Sequence, residues 1–212
     1  MGKIHQGILG GFNGKTGAVV GASWKGIAYM RGKAQSIKNP RTQMQQANRT
    51  LFGTISDIMS KARSVVDFGY MSSAVKKSAF NCAVQDNVKE FALSGGSVVL
   101  NKLVFSKGGV LPIVGGTSTK SGDVISVTGT LAEALVSAKT VYCLAVFDGT
   151  FVGAPFVTYS SKPLAVEADD FSISIATPSG VVFTTAYVFA FLFDPKSKDA
   201  SVTTYLGSIS GS

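Results

Sequence analysis

Apolar residues recur at intervals of three and four from Met44 through Ala47, Leu51, Ile55, Ile58 and Ala62. That spacing draws one stripe along a helix and predicts a helix running to about Ser64. Thr42 and Gln45 stand three apart at its start, the pattern of a capping box. A second stripe, Phe80, Val84, Val88 and Phe91, predicts a helix over Ser73–Leu93, stopped by Ser94-Gly95-Gly96. Val65–Tyr70 between them is ambiguous, and Gly69 disfavours helix there.

From Ser97 onward the period changes to two. Phe171-Ser-Ile-Ser-Ile175 alternates strictly, and Val124–Val127 does so in part, as half-buried strands do. Val141–Phe147 and Phe151–Thr158 flank Asp148-Gly149, a hairpin signal. Tyr187–Phe193 is apolar at every position and predicts a central strand. Asp194-Pro195-Lys196 then turns the chain, and Val202–Leu206 returns. Seven or eight strands with regular turns predict an antiparallel β-sandwich of immunoglobulin-like size. The Cys…Trp…Cys mark of true immunoglobulin domains is absent, because Trp24 is the sole tryptophan.

Before the helices, nine of the 24 glycines fall by position 32. Ala18–Ser23 and Ile27–Ala34 read as two strands joined through Trp24-Lys25-Gly26, where Gly26 supplies the positive φ of a tight turn. A ribbon of this size needs another surface to lie on. The expected fold class is thus α+β. Residues 1–96 form a basic, glycine-rich arm, a β-ribbon and two helices, and residues 97–212 form the sandwich.

Charge sharpens the picture of the first segment. Of the 212 residues 45% are hydrophobic and 15% charged, with a net charge of +8. Residues 1–50 contain Lys3, Lys15, Lys25, Arg31, Lys33, Lys38, Arg41 and Arg49 and no acid, and the charges of residues 51–212 cancel. The whole excess therefore belongs to the first quarter. This composition excludes intrinsic disorder. No apolar run approaches the roughly 18 residues of a membrane-spanning helix, and residues 1–6 do not resemble a secretory signal. The expected location is a virion or the cell interior.

Candidate chemistry is sparse. Gly10-Gly11-Phe12-Asn13-Gly14-Lys15-Thr16 approximates a phosphate-binding loop, but Leu9 stands where its first glycine belongs and the following residues are β-prone. His5 is the single histidine, and Cys82 and Cys143 are far apart, so neither a metal site nor a disulfide framework is indicated. Asp169-Asp170 read as a solvated turn. The expectation is a protein that is not an enzyme and needs no cofactor or metal.

The segment from Gly7 to Arg31, with Gly10-Gly11-Phe12-x-Gly14-Lys15-x-Gly17, Val19-Val20-Gly21-x-x-Trp24-Lys25-Gly26 and Tyr29-Met30-Arg31, is followed by Lys38-Asn39-Pro40-Arg41-Thr42-x-x-Gln45-x-x-x-Arg49. Together these resemble an uncharacterised domain family common in Bacteroidota genomes and found in their phages and prophages. The remainder is similar in layout, two helices and a β-rich half ending in Tyr205-Leu206-Gly207. The resemblance carries membership and no activity. The Asn39–Arg49 piece is also similar to short segments of phage virion proteins.

These readings converge on a structural subunit of a virion or virion-like assembly (a ring, collar, tail or capsid-associated component) that contacts itself and other virion proteins. Trp24, Tyr29, Arg31, Asn39, Pro40, Arg41 and Arg49 are the expected contact residues, with Arg41 and Arg49 on one helical face. The alternative is nucleic-acid binding, with Lys15, Lys25, Lys33 and Lys38 as phosphate contacts. A third reading is an adhesion or carbohydrate-binding module built on the sandwich loops.

Overall fold

The computed structural model describes residues 2–3, 11–36, 41–93, 98–149, 155–177 and 182–211. The chain divides into two compact units, Met1–Thr42 and Gln43–Ser212.

The first unit is a four-stranded antiparallel sheet in the order β1-β4-β3-β2, made of β1 (Gly2–Lys3), β2 (Gly14–Thr16), β3 (Val19–Trp24) and β4 (Ile27–Gly32). Lys15 and Thr16 lie in β2 and run through a turn into β3. A phosphate-binding loop would instead open a helix at that point.

The second unit begins with α1 (Gln43–Lys61), whose buried residues are Leu51, Ile55, Ile58 and Met59. Met44 and Ala47, expected on the same buried stripe, are exposed, Met44 by 77%. The first two turns of α1 therefore bury nothing. The chain departs from the helix at Ala62 and resumes as α2 (Arg63–Gly69), which resolves the ambiguous segment as helix. Gly69 belongs there because a Cβ would strike the Phe105 carbonyl oxygen. The next helix, α3 (Ala79–Leu93), starts later than the apolar stripe implied. Lys76 adopts a left-handed φ of 59°, and the Ser78 hydroxyl accepts the Asn81 N–H at 3.2 Å, capping the helix there.

After a 3-10 turn at Leu100–Lys102, the described residues hold eight strands in two antiparallel sheets. Strands β5 (Ile113–Ser121), β6 (Val124–Leu131) and β9 (Asp170–Ala176) form one, in the order β5-β6-β9. Strands β7 (Lys139–Asp148), β8 (Phe156–Leu164), β10 (Thr185–Asp194), β11 (Asp199–Ala200) and β12 (Thr204–Ser210) form the other. Its order is β8-β7-β10, with β11 and β12 both pairing β10. Pro163, which cannot donate to a ladder, sits in the edge strand β8. The Phe147↔Phe156 pairing makes the β7–β8 connection longer than the tight Asp148-Gly149 turn that the sequence suggested. Asp169 and Asp170 are exposed, with Asp170 opening β9.

The continuous apolar runs of β7 and β10 have a direct cause: both faces are covered. Leu144, Val146, Phe189, Phe191 and Phe193 join Leu51, Ile55, Ile58, Val65 and Phe91 of the helices in one core. The alternate residues Val141, Cys143, Ala145, Phe147, Val188, Ala190 and Leu192 join Ile125, Val127, Phe171, Ile173 and Ile175 in a second. The unit is therefore three layers: helices, the five-stranded sheet and the three-stranded sheet. Side-chain bonds close both sides of the sheet pair. Thr204 donates to the Ile113 carbonyl at 3.0 Å, and the Lys162 ammonium donates to the Ser172 carbonyl at 3.0 Å.

Candidate functional site

The hairpin β3–β4 turns on Lys25 (φ 51°) and Gly26 (φ 80°). Two successive positive φ values make a type I′ turn, whose twist matches that of the flanking strands. The turn fixes the register: Trp24 pairs Ile27, Ala22 pairs Tyr29, and Val20 pairs Arg31. Strand β2 extends the last row, with Lys15 opposite Val20. Side chains opposite one another on paired strands share a face. Trp24, Ile27, Tyr29, Arg31, Ala22, Val20 and Lys15 consequently lie on one side of this sheet.

The chain itself covers part of the other side, which leaves Met30 42% exposed. Phe12 lies over Gly21, so that a Cβ at Gly21 would strike its carbonyl oxygen and ring, and Gly11 lies against Ala28. This is why glycine stands at positions 11 and 21.

The face of Trp24, Tyr29 and Arg31 is aromatic and cationic. Trp24 is 64% exposed, and the Lys25 ammonium stands 4.8 Å from its ring centroid, within cation–π range. Tyr29 is half-buried, while Lys15, Lys25, Arg31 and Lys33 are exposed. Sequence parity alone places Tyr29 with Arg31. The addition of Lys15 required the pairing of β2 with β3, for which residues 14–16 carry no periodic signal.

Other expected contact residues are distributed differently. Arg41 has a φ of 47° and precedes α1, so it does not share a helical face with Arg49, which lies on α1 in the second unit. A left-handed residue cannot continue the helix backward. Both are exposed. Lys38, Asn39 and Pro40, like His5 and Gly10, lie outside the described residues.

In the second unit, an open groove of about 530 Å³ crosses the three-stranded sheet, lined by Thr117, Thr128, Thr130, Ser172, Lys162 and Asp170 among others. Cys143 is buried, which pushes its thiol pKa up, and Cys82 is half-buried; both are free thiols. Among the described residues no three His, Cys, Asp or Glu side chains meet as a metal site. No described helix is long and apolar enough to cross a membrane.

A family model described as DUF6266, a family of unknown function, matches residues 11–168. The chain belongs to that family. The DUF6266 match takes in β2, β3 and β4 of the hairpin sheet, the three described helices and the strands β5 to β8. It thus joins the aromatic–cationic face and much of the layered unit in one stretch of family sequence. No curated protein matches this DUF6266 chain.

Proposed function

We propose that the protein is a non-enzymatic structural subunit of a phage virion or virion-like assembly, homo-oligomeric and joined through its basic, glycine-rich N-terminal unit. One observation carries this reading. Among residues 11–36 only Gly21 is buried, while Phe12, Trp24, Ile27 and Met30 are exposed. A four-stranded sheet with so little buried surface gains its order from a partner. Trp24, Tyr29 and Arg31 are the central contacts, and Arg41 and Arg49 are further ones, each on its own unit.

Placement in a virion is supported by the similarity of residues 39–49 to segments of phage virion proteins. The immunoglobulin-like reading of the sandwich is supported by its strand order. Strands β5, β6 and β9 form one sheet, and β8, β7, β10 and β12 the other, as in seven-stranded Greek-key sandwiches. The test is the mass of the protein in solution across a concentration series. Association that disappears when residues 1–36 are removed supports the reading, and a monomer at every concentration removes it.

Nucleic-acid binding is the second reading, favoured by Trp24 and Tyr29 sharing a face with Lys15 and Arg31. Exposed rings beside cations are the elements of a single-strand platform. It predicts an affinity for oligonucleotides that falls steeply with salt.

A further inference from the structure

The cationic face cannot pair with its own copy. Lys15, Lys25 and Arg31 of two such faces would be brought together with no acid in residues 1–50 to separate them. Like charges in apposition oppose association. A self-assembling chain with this face therefore needs a different, anionic surface on the neighbouring copy.

Such a surface exists at one end of the sandwich. The segments Leu131–Ala138 and Leu164–Phe171 contain Glu133, Glu167, Asp169 and Asp170 and no lysine or arginine; of the flanking cations, Lys139 is paired with Asp194 and Lys162 lines the groove beside Asp170. Their backbones are laced together. Leu131 N–H donates to the Asp169 carbonyl at 2.8 Å, Leu135 N–H to Ala168 at 3.0 Å, and Glu167 N–H to Leu135 at 2.8 Å. The four acidic residues are exposed, and no ion pair among the described residues involves them. The same two segments hold out Val136, 93% exposed, and Val166, 54% exposed. Val136 and Val166 are exposed on the same two hydrogen-bonded segments that carry the four carboxylates, an apolar and anionic counterpart to Trp24 and Ile27 with Lys15, Lys25 and Arg31.

Resting on the assembly reading above, we propose that the Trp24–Arg31 face of one copy docks on the Glu133/Glu167/Asp169/Asp170 end of a second copy. The contact is head-to-tail. It buries Trp24 and Ile27 against Val136 and Val166 and sets Lys15, Lys25 and Arg31 opposite the carboxylates. A heterologous contact of this kind propagates, into a closed ring or an open filament according to the rotation between copies.

Charge reversal on the full chain tests it. One variant carries Lys15→Glu and Arg31→Glu, the other Glu133→Lys and Glu167→Lys. All four positions are exposed, and circular dichroism and thermal unfolding verify that both variants fold. Each alone should associate at least about tenfold more weakly than the unaltered protein, as loss of close charge pairs does. In an equimolar mixture, junctions between copies of the same variant still set like charges together. Junctions between unlike variants are complementary, so mixing should restore association, with the two variants alternating. Association of the Glu133→Lys/Glu167→Lys variant at unaltered strength overturns this docking site while leaving assembly through the N-terminal unit standing. A monomeric unaltered chain overturns both. An unaltered chain that stays monomeric but binds a single-stranded oligonucleotide through Lys15 and Arg31 assigns the face to nucleic acid instead.

Discussion

Asn87, buried on α3, pairs with Val104 as one strand residue pairs with another. Its amide nitrogen donates to the Val104 carbonyl at 2.7 Å, and its amide oxygen accepts the Val104 N–H at 3.0 Å. The same nitrogen also donates to the Ala83 carbonyl at 2.9 Å. The segment after α3 has no strand partner at Val104, so this side chain supplies the hydrogen bonds that a ladder would. Asn87→Leu removes them and leaves buried backbone groups unsatisfied. It should cost about 2–4 kcal/mol, read from denaturant unfolding.

The Lys139 ammonium lies 3.1 Å from the Asp194 carboxylate, with both side chains 13% exposed. Burial opposes ionisation of Asp194, but the hydrogen bonds from Lys139 and the Lys196 amide outweigh it and hold its pKa below the usual carboxylate value. The unfolded chain therefore binds the proton first. The stabilisation is present above about pH 4, the ordinary aspartate range, and is lost as pH falls through the lower folded pKa. Asp194→Asn should flatten the acid limb of stability against pH. Lys139→Met strands the carboxylate and should cost about 1–3 kcal/mol at neutral pH.

Two glycines distinguish the two units. Gly26→Ala forces a side chain into a φ of 80° and should cost roughly 1 kcal/mol in the hairpin. Gly69→Ala meets the Phe105 carbonyl oxygen and the Ser106 side chain in the layered unit. Its cost should be larger, about 2–4 kcal/mol, and should lower the main thermal transition, whereas Gly26→Ala should leave that transition in place.

Trp24→Ala separates association from folding. Removing the exposed ring should weaken self-association by about 2 kcal/mol, roughly thirtyfold in Kd. The unfolding transition of the second unit should not move. Sedimentation and calorimetry on the same sample read both quantities.

Thiol labelling reports the core directly. Half-buried Cys82 should react with a thiol reagent in the folded protein, and Cys143 only after unfolding. Burial both hides the Cys143 thiol and disfavours its thiolate. Equal labelling rates would contradict the packing of β7.

Some of this organisation was legible along the chain because its cause is local. The strict alternation of Phe171, Ile173 and Ile175 marks one buried face, and β9 buries those three. A tight hairpin with a left-handed Gly26 was legible at Trp24-Lys25-Gly26, and parity then sets Tyr29 beside Arg31; the left-handed Lys25 that makes it a two-residue I′ turn was not. The stripe of α1 was legible only where the core extends: Leu51, Ile55 and Ile58 are buried, but Met44 and Ala47 lie on turns that no layer covers. Periodicity describes the helix and says nothing of how far its neighbour reaches.

The mixed α+β class, the periods of α1 and β9 and the confinement of the positive charge to the first quarter are legible in the residues alone. These depend on residue type and spacing along one strand or helix. The packing of the helices on the outer face of the β7–β10 sheet, the placing of Lys15 on the face of Trp24 and Arg31, and the bonding of Leu131 and Leu135 to Asp169 and Ala168 come from the folded chain. Each of these depends on which distant backbone supplies a hydrogen-bond partner or an apolar face, and spacing along the chain does not encode that choice.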